Sequence, residues 1–227
     1  VSNFYVNKLN NLKAQPVHKL SEVGDQWRTS EELYQGANTK YGPFALDIFT
    51  DGENAKCAQF YTAENNALTQ DWTADLDGRW GWANPPYSRS SYLDGDKRKE
   101  PLTGMRNIMK KAFEEREKGA KFVFLIKAAT AEVWWPENAD HIVFIRGRVG
   151  FKVPEWFIPE EGAKAANAGF GAVLAIFNKE HKGEKFSYVH RDYLEDLGSR
   201  SIQSMNKAIQ QMESSHGTHT HTTNQNN

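Results

Sequence analysis

The sequence predicts an α/β domain with a mostly parallel sheet, and three observations carry that expectation. The runs "KFVFLIKA" (121–128), "HIVFI" (141–145) and "GAVLAIF" (171–177) are continuously apolar, as strands buried on both faces must be. Segments with helical spacing of apolar residues alternate with such runs, the pattern of strands joined by helical crossovers. A length of 227 residues allows one sizeable core.

Taken in order, residues 1–25 are polar and read as an extended arm. "TSEELYQGANTKYG" (29–42) reads as a helix: Thr29 or Ser30 caps it, acids fill its first turn, and Gly42 stands past its end. "FALDIF" (44–49) is a short strand ending in Asp47, and "CAQFYT" (57–62) is another strand candidate. "RWGWA" (79–83) is a third, leading directly into "NPPY" (84–87). Met105, Ile108, Met109, Ala112 and Phe113 recur at helical spacing, with Gly119 as the stop. Segments 88–103 and 146–171 are polar, charged and poorly periodic, and loops this long are usually functional or disordered. Near the end, Ile202, Met205, Ile209 and Met212 make a narrow apolar stripe on a helix, expected to dock onto the sheet. "SSHGTHTHTTNQNN" (214–227) reads as a disordered polar tail. The organisation is thus an arm (1–25), one domain (26–213) with two candidate recognition loops, and a tail.

Composition narrows the function. Lysines and arginines number 28 against 29 acids, so any affinity for DNA must come from local basic patches. No apolar run approaches 18 residues, so no membrane span is expected, and the N-terminal stretch lacks the apolar region of a signal peptide. The single cysteine, Cys57, excludes an intramolecular disulfide and fits a reducing cytoplasm. No Cys/His cluster has zinc spacing, and no metal site is expected, the histidines of the tail included.

"NPPY" carries the chemistry. Two prolines supply no backbone donors, and each holds the preceding residue extended. Beyond the carboxyl end of a strand, where open α/β sheets bind ligands, the Asn84 side-chain oxygen and the Pro85 carbonyl become two acceptors on a stiff backbone. Their natural guest is a planar, conjugated NH2 group. Gripping its hydrogens favours a pyramidal nitrogen, frees the lone pair and stabilises the positive charge that develops there. Tyr87 is placed to stack on the guest. Asn84 is no general base, so positioning supplies most of the rate. By chance, such a tetrapeptide turns up in roughly one chain in a hundred of this length, so context has to decide.

In context, "NPPY" after a strand resembles the catalytic motif of amino-group methyltransferases that use S-adenosylmethionine (AdoMet). The surrounding chain resembles the phage-type DNA N6-adenine methyltransferase (Dam) family. The resemblance runs through "DQWRTSEELY", "FALDIFTDGENAKCAQFYT", "NALTQDW", "GWANPPYS", "IVFIRGRVGF" and "GAVLAIF" in that order, over about residues 25–178. It implies a Rossmann-like fold with a mostly parallel, seven-stranded sheet whose last strand is antiparallel. It also implies AdoMet as cofactor, S-adenosylhomocysteine as its product, and double-stranded DNA as partner.

Residue by residue, the resemblance places Asn84, Pro85, Pro86 and Tyr87 at the reacting centre. It makes Trp27 and Thr29 cofactor contacts, although Ser30 stands where the family has proline. Asp47 and Phe49 fall at the AdoMet loop, with the Asp47 carboxylate meeting the methionine ammonium. Glu64 or Asn65 is assigned the ribose hydroxyls, and Asp71 the cofactor adenine, with Trp72 packed nearby. A target adenine buried in the duplex has to be flipped out, which calls for stacking rings and cations beside the site. Phe151 is the second stacking candidate after Tyr87. Arg89, Lys97, Arg98 and Lys99 in one loop, and Arg146, Arg148 and Lys152 in the other, are candidate phosphate contacts. Two alternatives share these residues: a methyltransferase of a protein glutamine amide or an RNA guanine amino group, and a DNA- or AdoMet-binding module without turnover.

Overall fold

The computed structural model describes residues 3–161 and 168–217. Its elements in chain order are α1 (Phe4–Lys13), β1 (Arg28–Thr29), α2 (Glu31–Tyr41), β2 (Phe44–Asp47), β3 (Gln59–Phe60), α3 (Trp72–Leu76) and β4 (Trp80–Ala83). There follow α4 (Met105–Lys118), β5 (Lys121–Lys127), β6 (His141–Lys152), β7 (Ala168–Phe177), β8 (Phe186–His190) and α5 (Arg191–Gly217). Among the described residues no helix is long and apolar enough to cross a membrane.

One sheet organises these elements, in the order β3-β2-β4-β5-β7-β6, with β1 and β8 sharing the outer edge of β6. The pairings β2–β3, β2–β4, β4–β5 and β6–β8 are parallel, while β5–β7, β6–β7 and β1–β6 are antiparallel. This is the Rossmann-like α/β architecture the sequence predicts, realised as a mixed sheet. Among the described residues it has eight strands rather than seven: β7 is the expected antiparallel strand, β8 follows it, and the two-residue β1 is also antiparallel to its neighbour.

The apolar runs behave as expected of doubly covered strands. In β5, Phe122, Phe124 and Ile126 face one layer and Val123 and Leu125 the other, and all five are fully buried. Trp72 and Leu76 of α3 and Ile108 and Ala112 of α4 cover the first face. Leu33, Tyr34 and Ala37 of α2, with Leu194 of α5, cover the second. The helices α2 and α5 meet backbone to backbone. A Cβ added at Gly36 would fall 1.9 Å from the Leu194 carbonyl oxygen, and one at Gly198 would fall 1.8 Å from that of Glu32.

Ser30 takes the capping role: its hydroxyl accepts the Leu33 N–H at 3.2 Å. Its φ of −62° matches what a proline ring would impose, so the serine supplies the same entry to α2 and adds a capping bond.

Four expectations are corrected. Of the expected extended arm, the described residues 3–25 are not extended, because Asn3 caps α1 by accepting the Val6 N–H at 2.9 Å and its amide donates to the Ala63 carbonyl at 2.7 Å. Docking rather than amphipathic periodicity stabilises this polar helix. The stretch 146–152 is strand, not loop. A bulge between Ile145 and Val149, with Gly147 at φ 92°, breaks the alternation that would have revealed it. The stripe on α5 does not dock: Met205, Ile209 and Met212 are 42%, 53% and 64% exposed. At about 40 Å, α5 far outruns its partner α2, at about 16 Å, and only its first half is covered. Finally, Ser214 and Ser215 extend α5 instead of starting a tail, and residues 218–227 lie outside the described residues.

Candidate active site

From β2 the chain crosses to β3 on one side and returns to β4 on the other. The carboxyl ends of β2 and β4 therefore border the crevice where the winding direction reverses, the preferred ligand position of such sheets. A cavity of about 280 Å³ opens there. Asp47, the last residue of β2, and Asn84, the first beyond β4, both line it.

Of the residues assigned to the cofactor, Trp27, Thr29, Asp47, Phe49 and Glu64 line this cavity. Asn65, Asp71 and Trp72 do not. Asn65 folds back to accept the Thr62 N–H at 2.7 Å. Asp71 caps α3, accepting the Ala74 N–H at 3.1 Å, and lies 3.8 Å from the Lys118 ammonium. Trp72 is fully buried, donates to the Ala67 carbonyl at 2.7 Å and packs edge-on against Phe49. It supports the cavity wall through Phe49 and Ala67.

Asp47 is a carboxyl buried in the wall of the site. Burial pushes its carboxyl up to about 7, partly opposed by the N–H groups of Lys56 and Phe49. Oδ2 accepts from Lys56 at 2.9 Å, while Oδ1 is buried without a partner among the described residues. Thr29 Oγ1 is likewise buried and unpartnered. Two orphaned oxygens on residues of one cavity are costly unless a ligand with donors fills it. An ammonium and hydroxyls, as AdoMet carries, fit that donor demand.

Beside the cavity, the diproline turn is fixed on every side. The Asn84 amide nitrogen donates to the Trp27 carbonyl at 3.2 Å. A carbonyl only accepts, so the nitrogen must face it and Oδ1 remains as the acceptor. Among the described residues, no backbone hydrogen bond uses the Pro85 carbonyl. The N–H groups of Tyr87 and Ser88 both donate to Asp25 Oδ1 at 2.8 Å. The Tyr87 hydroxyl accepts the Lys127 N–H at 2.8 Å, and its ring lies edge-on to Trp134 and Phe170, with the Lys127 ammonium 4.6 Å from its centre. Burial pushes this phenol well above its ordinary range. Pro86 lines the cavity, and Pro85 and Tyr87 are not among its lining residues.

The cations expected to meet DNA divide by their local partners. Arg89, Lys97, Arg98 and Lys99 are exposed on the excursion between β4 and α4. Its base is closed by the Thr103 hydroxyl, which accepts from Ser91 and donates to the Arg89 carbonyl, both at 2.9 Å. Arg98 is held by Asp96 at 2.8 Å. Arg146 and Arg148 project from the bulge of β6, and Arg148 reaches the Gly169 carbonyl at 3.3 Å. Lys152 is exposed, 3.6 Å from Glu32. Phe151 is a correction: it is 3% exposed and stacked on Phe170 at 5.0 Å, so it packs the sheet instead of facing a base.

Sequence reasoning missed the contribution of α1. Tyr5, Val6, Leu9 and Lys13 form one wall of the cavity, and nothing in their polar spacing signals it. It also gave no role to Asp25, although that residue stands inside a stretch it singled out. Among the described residues no group of three or more His, Cys, Asp or Glu could hold a metal ion.

Comparison with known proteins converges on one family. The sequence profile of the DNA N-6-adenine-methyltransferase (Dam) family matches residues 17–201. YfdM of Escherichia coli (strain K12), provisionally named a methyltransferase, is 54% identical over 90 residues, 38% of this chain and 98% of that protein. The DNA N-6-adenine-methyltransferase of Haemophilus phage HP1 (strain HP1c1) is 38% identical over 65 residues, 28% of this chain and 35% of that enzyme's length.

Proposed function

The chain belongs to the DNA N-6-adenine-methyltransferase (Dam) family, and from that premise we propose that it methylates the N6 amino group of adenine in double-stranded DNA, using AdoMet. One observation carries the reading. The orphaned oxygen of Asp47 and the free acceptor of Asn84 belong to residues that line the same cavity, at neighbouring strand ends.

When bound, AdoMet supplies an electrophilic methyl group on a sulfonium. The residues of this chain do the rest. Asp47 and Thr29 hold the cofactor's polar groups, and Phe49 and Trp27 wall its rings. Asn84 Oδ1 and the Pro85 carbonyl accept the two N6 hydrogens, turn the nitrogen lone pair toward the methyl group and stabilise the charge that forms on nitrogen. No side chain at the turn is a base, so the proton leaves to solvent after transfer. The adenine reaches the turn only when flipped from the stack, at a cost of a few kcal/mol. Arg146 and Arg148 hold the backbone by phosphate contacts that fix register without reading sequence.

Incubation with labelled AdoMet and unmethylated DNA tests this. Label recovered as N6-methyladenine is the expected result. Label found in a protein glutamine amide or an RNA guanine, and absent from DNA, overturns it.

A further inference from the structure

The acceptor turn is held at both ends by residues two apart in the chain. Before the prolines, the Asn84 side chain donates to the Trp27 carbonyl at 3.2 Å. After them, the N–H groups of Tyr87 and Ser88 converge on Asp25 Oδ1, each at 2.8 Å. Pro85 and Pro86 have no N–H, so these are the first two backbone donors beyond Asn84. A tight turn delivers the carboxylate. Val23 is fully buried, Gly24 adopts φ 54°, and the Gln26 N–H returns to the Val23 carbonyl at 2.9 Å. The second oxygen of Asp25 accepts the Tyr5 hydroxyl of α1 at 3.4 Å.

Resting on the reading of Asn84 and Pro85 as the acceptor pair, we infer that Asp25 is a positioning residue for methyl transfer. It locks the exit of the diproline turn, so that the two acceptors keep a fixed bearing on the cavity that Asp25 itself lines. A carboxylate suits the task because one anionic oxygen accepts two N–H groups at once, in charge-assisted bonds stronger than neutral ones. Neither oxygen of Asp25 needs to touch the substrate. Releasing the clamp lets the turn relax, and a displacement of about 1 Å at a reacting centre costs about a hundredfold in rate.

The test compares Asp25→Ala, Asp25→Asn and Asn84→Ala in the full chain, by steady-state methylation of DNA and by hydrogen–deuterium exchange across the turn. Asp25→Ala is expected to lower kcat about a hundredfold with the KM for AdoMet unchanged. The Tyr87 and Ser88 amides should exchange faster. Asp25→Asn keeps an acceptor oxygen and should recover kcat to within about tenfold of the parent, with intermediate exchange. Parental kcat in Asp25→Ala overturns the inference, and so does a lost kcat with parental exchange at Tyr87 and Ser88. Should Asp25→Ala fail to fold, Asp25→Asn decides alone: slower turnover with faster exchange at those amides supports the clamp, and parental values of both overturn it. The underlying reading fails separately. An active Asn84→Ala removes the acceptor pair, whereas an inactive Asn84→Ala beside a normal Asp25→Ala removes only the positioning role.

Discussion

The side-chain amide of Asn84 donates to the backbone carbonyl of Trp27 at 3.2 Å, across 57 residues of sequence. One bond thereby sets which atom of Asn84 is left as an acceptor and ties the turn to the wall of the cavity that Trp27 also lines. Asn84→Ala removes both functions. Methyl transfer is expected to fall about a hundredfold to a thousandfold, the cost of deleting one preorganised partner of a developing charge. S-adenosylhomocysteine binding, followed by calorimetry, should change little. Turnover near that of the parent removes Asn84 from the chemistry.

Asp47 predicts opposite effects on stability and on binding. Its folded pKa, raised by burial to about 7, lies above its unfolded value. Its contribution to stability is therefore complete below the unfolded value and is lost as pH rises through about 7. Asp47→Asn should stabilise the ligand-free protein at pH 8 and do little near pH 4. The same variant should weaken AdoMet binding about tenfold to a hundredfold, the worth of ~1.5–3 kcal/mol for a hydrogen bond to a charged group. In the parent, Asp47 must lose a proton to meet an ammonium, so affinity should fall about tenfold per pH unit below about 7. Thermal melts and calorimetry at several pH values check both. A pH-independent affinity in the parent removes the carboxylate from the ammonium contact.

The strands and helices that pack on themselves were legible, because burial on two faces writes continuous apolar runs such as Phe122–Ile126 and burial on one writes the α4 spacing. What depends on distant partners was not. The polar helix α1 exists because Asn3 finds the Ala63 carbonyl 60 residues away, and no local pattern encodes that. Strand β6 was cut short at its bulge, where Arg146, Gly147 and Arg148 break the alternation. At the site, the strand ends were readable, since Asp47 and Asn84 each follow an apolar run. Asp71 was misplaced for the reverse reason: an acid before a short helix looks the same whether it caps that helix or faces a ligand. Asp25 was invisible because its partners are two backbone amides 62 and 63 residues onward.

Tyr87→Phe keeps the ring but strips the hydroxyl that accepts the Lys127 N–H at 2.8 Å. If the ring only stacked, this variant would be mild; the hydrogen bond makes it costly. Leaving a part-buried donor unpaired should destabilise the protein by about 1–3 kcal/mol. Tyr87→Ala, which also empties the space against Trp134 and Phe170, should cost about 3–5 kcal/mol. Urea unfolding measures both. Equal stability of Tyr87→Phe and the parent shows that water or another group satisfies Lys127.

Glu115 predicts the acid limb of the stability curve. Its carboxylate is fully buried, and burial alone would raise its pKa. Hydrogen bonds from Lys111, Lys118 and Thr73 outweigh that and hold it down to about 2. Being depressed, it contributes stability above its unfolded pKa that is lost as pH falls toward about 2. Glu115→Gln should therefore lower stability at neutral pH and flatten its decline in acid. An unchanged acid limb in that variant assigns the loss of stability to other carboxylates.

Arg146 and Arg148 sit either side of Gly147, whose φ of 92° shapes the bulge that lifts them from the sheet. Bulges of this kind re-aim side chains at the rims of sites, and both arginines are exposed. If each meets a DNA phosphate, replacing both with glutamine should lower the slope of log K against log salt by about 1.8, at about 0.9 per phosphate contact. Affinity should fall alike on specific and unrelated duplexes, because phosphate contacts carry no sequence information. Binding titrations over a series of salt concentrations read the slope directly. A slope equal to the parent's would return Arg148 to bracing β7 through the Gly169 carbonyl, which it reaches at 3.3 Å. The phosphate contacts would then have to come from the excursion that carries Arg89 and Lys97.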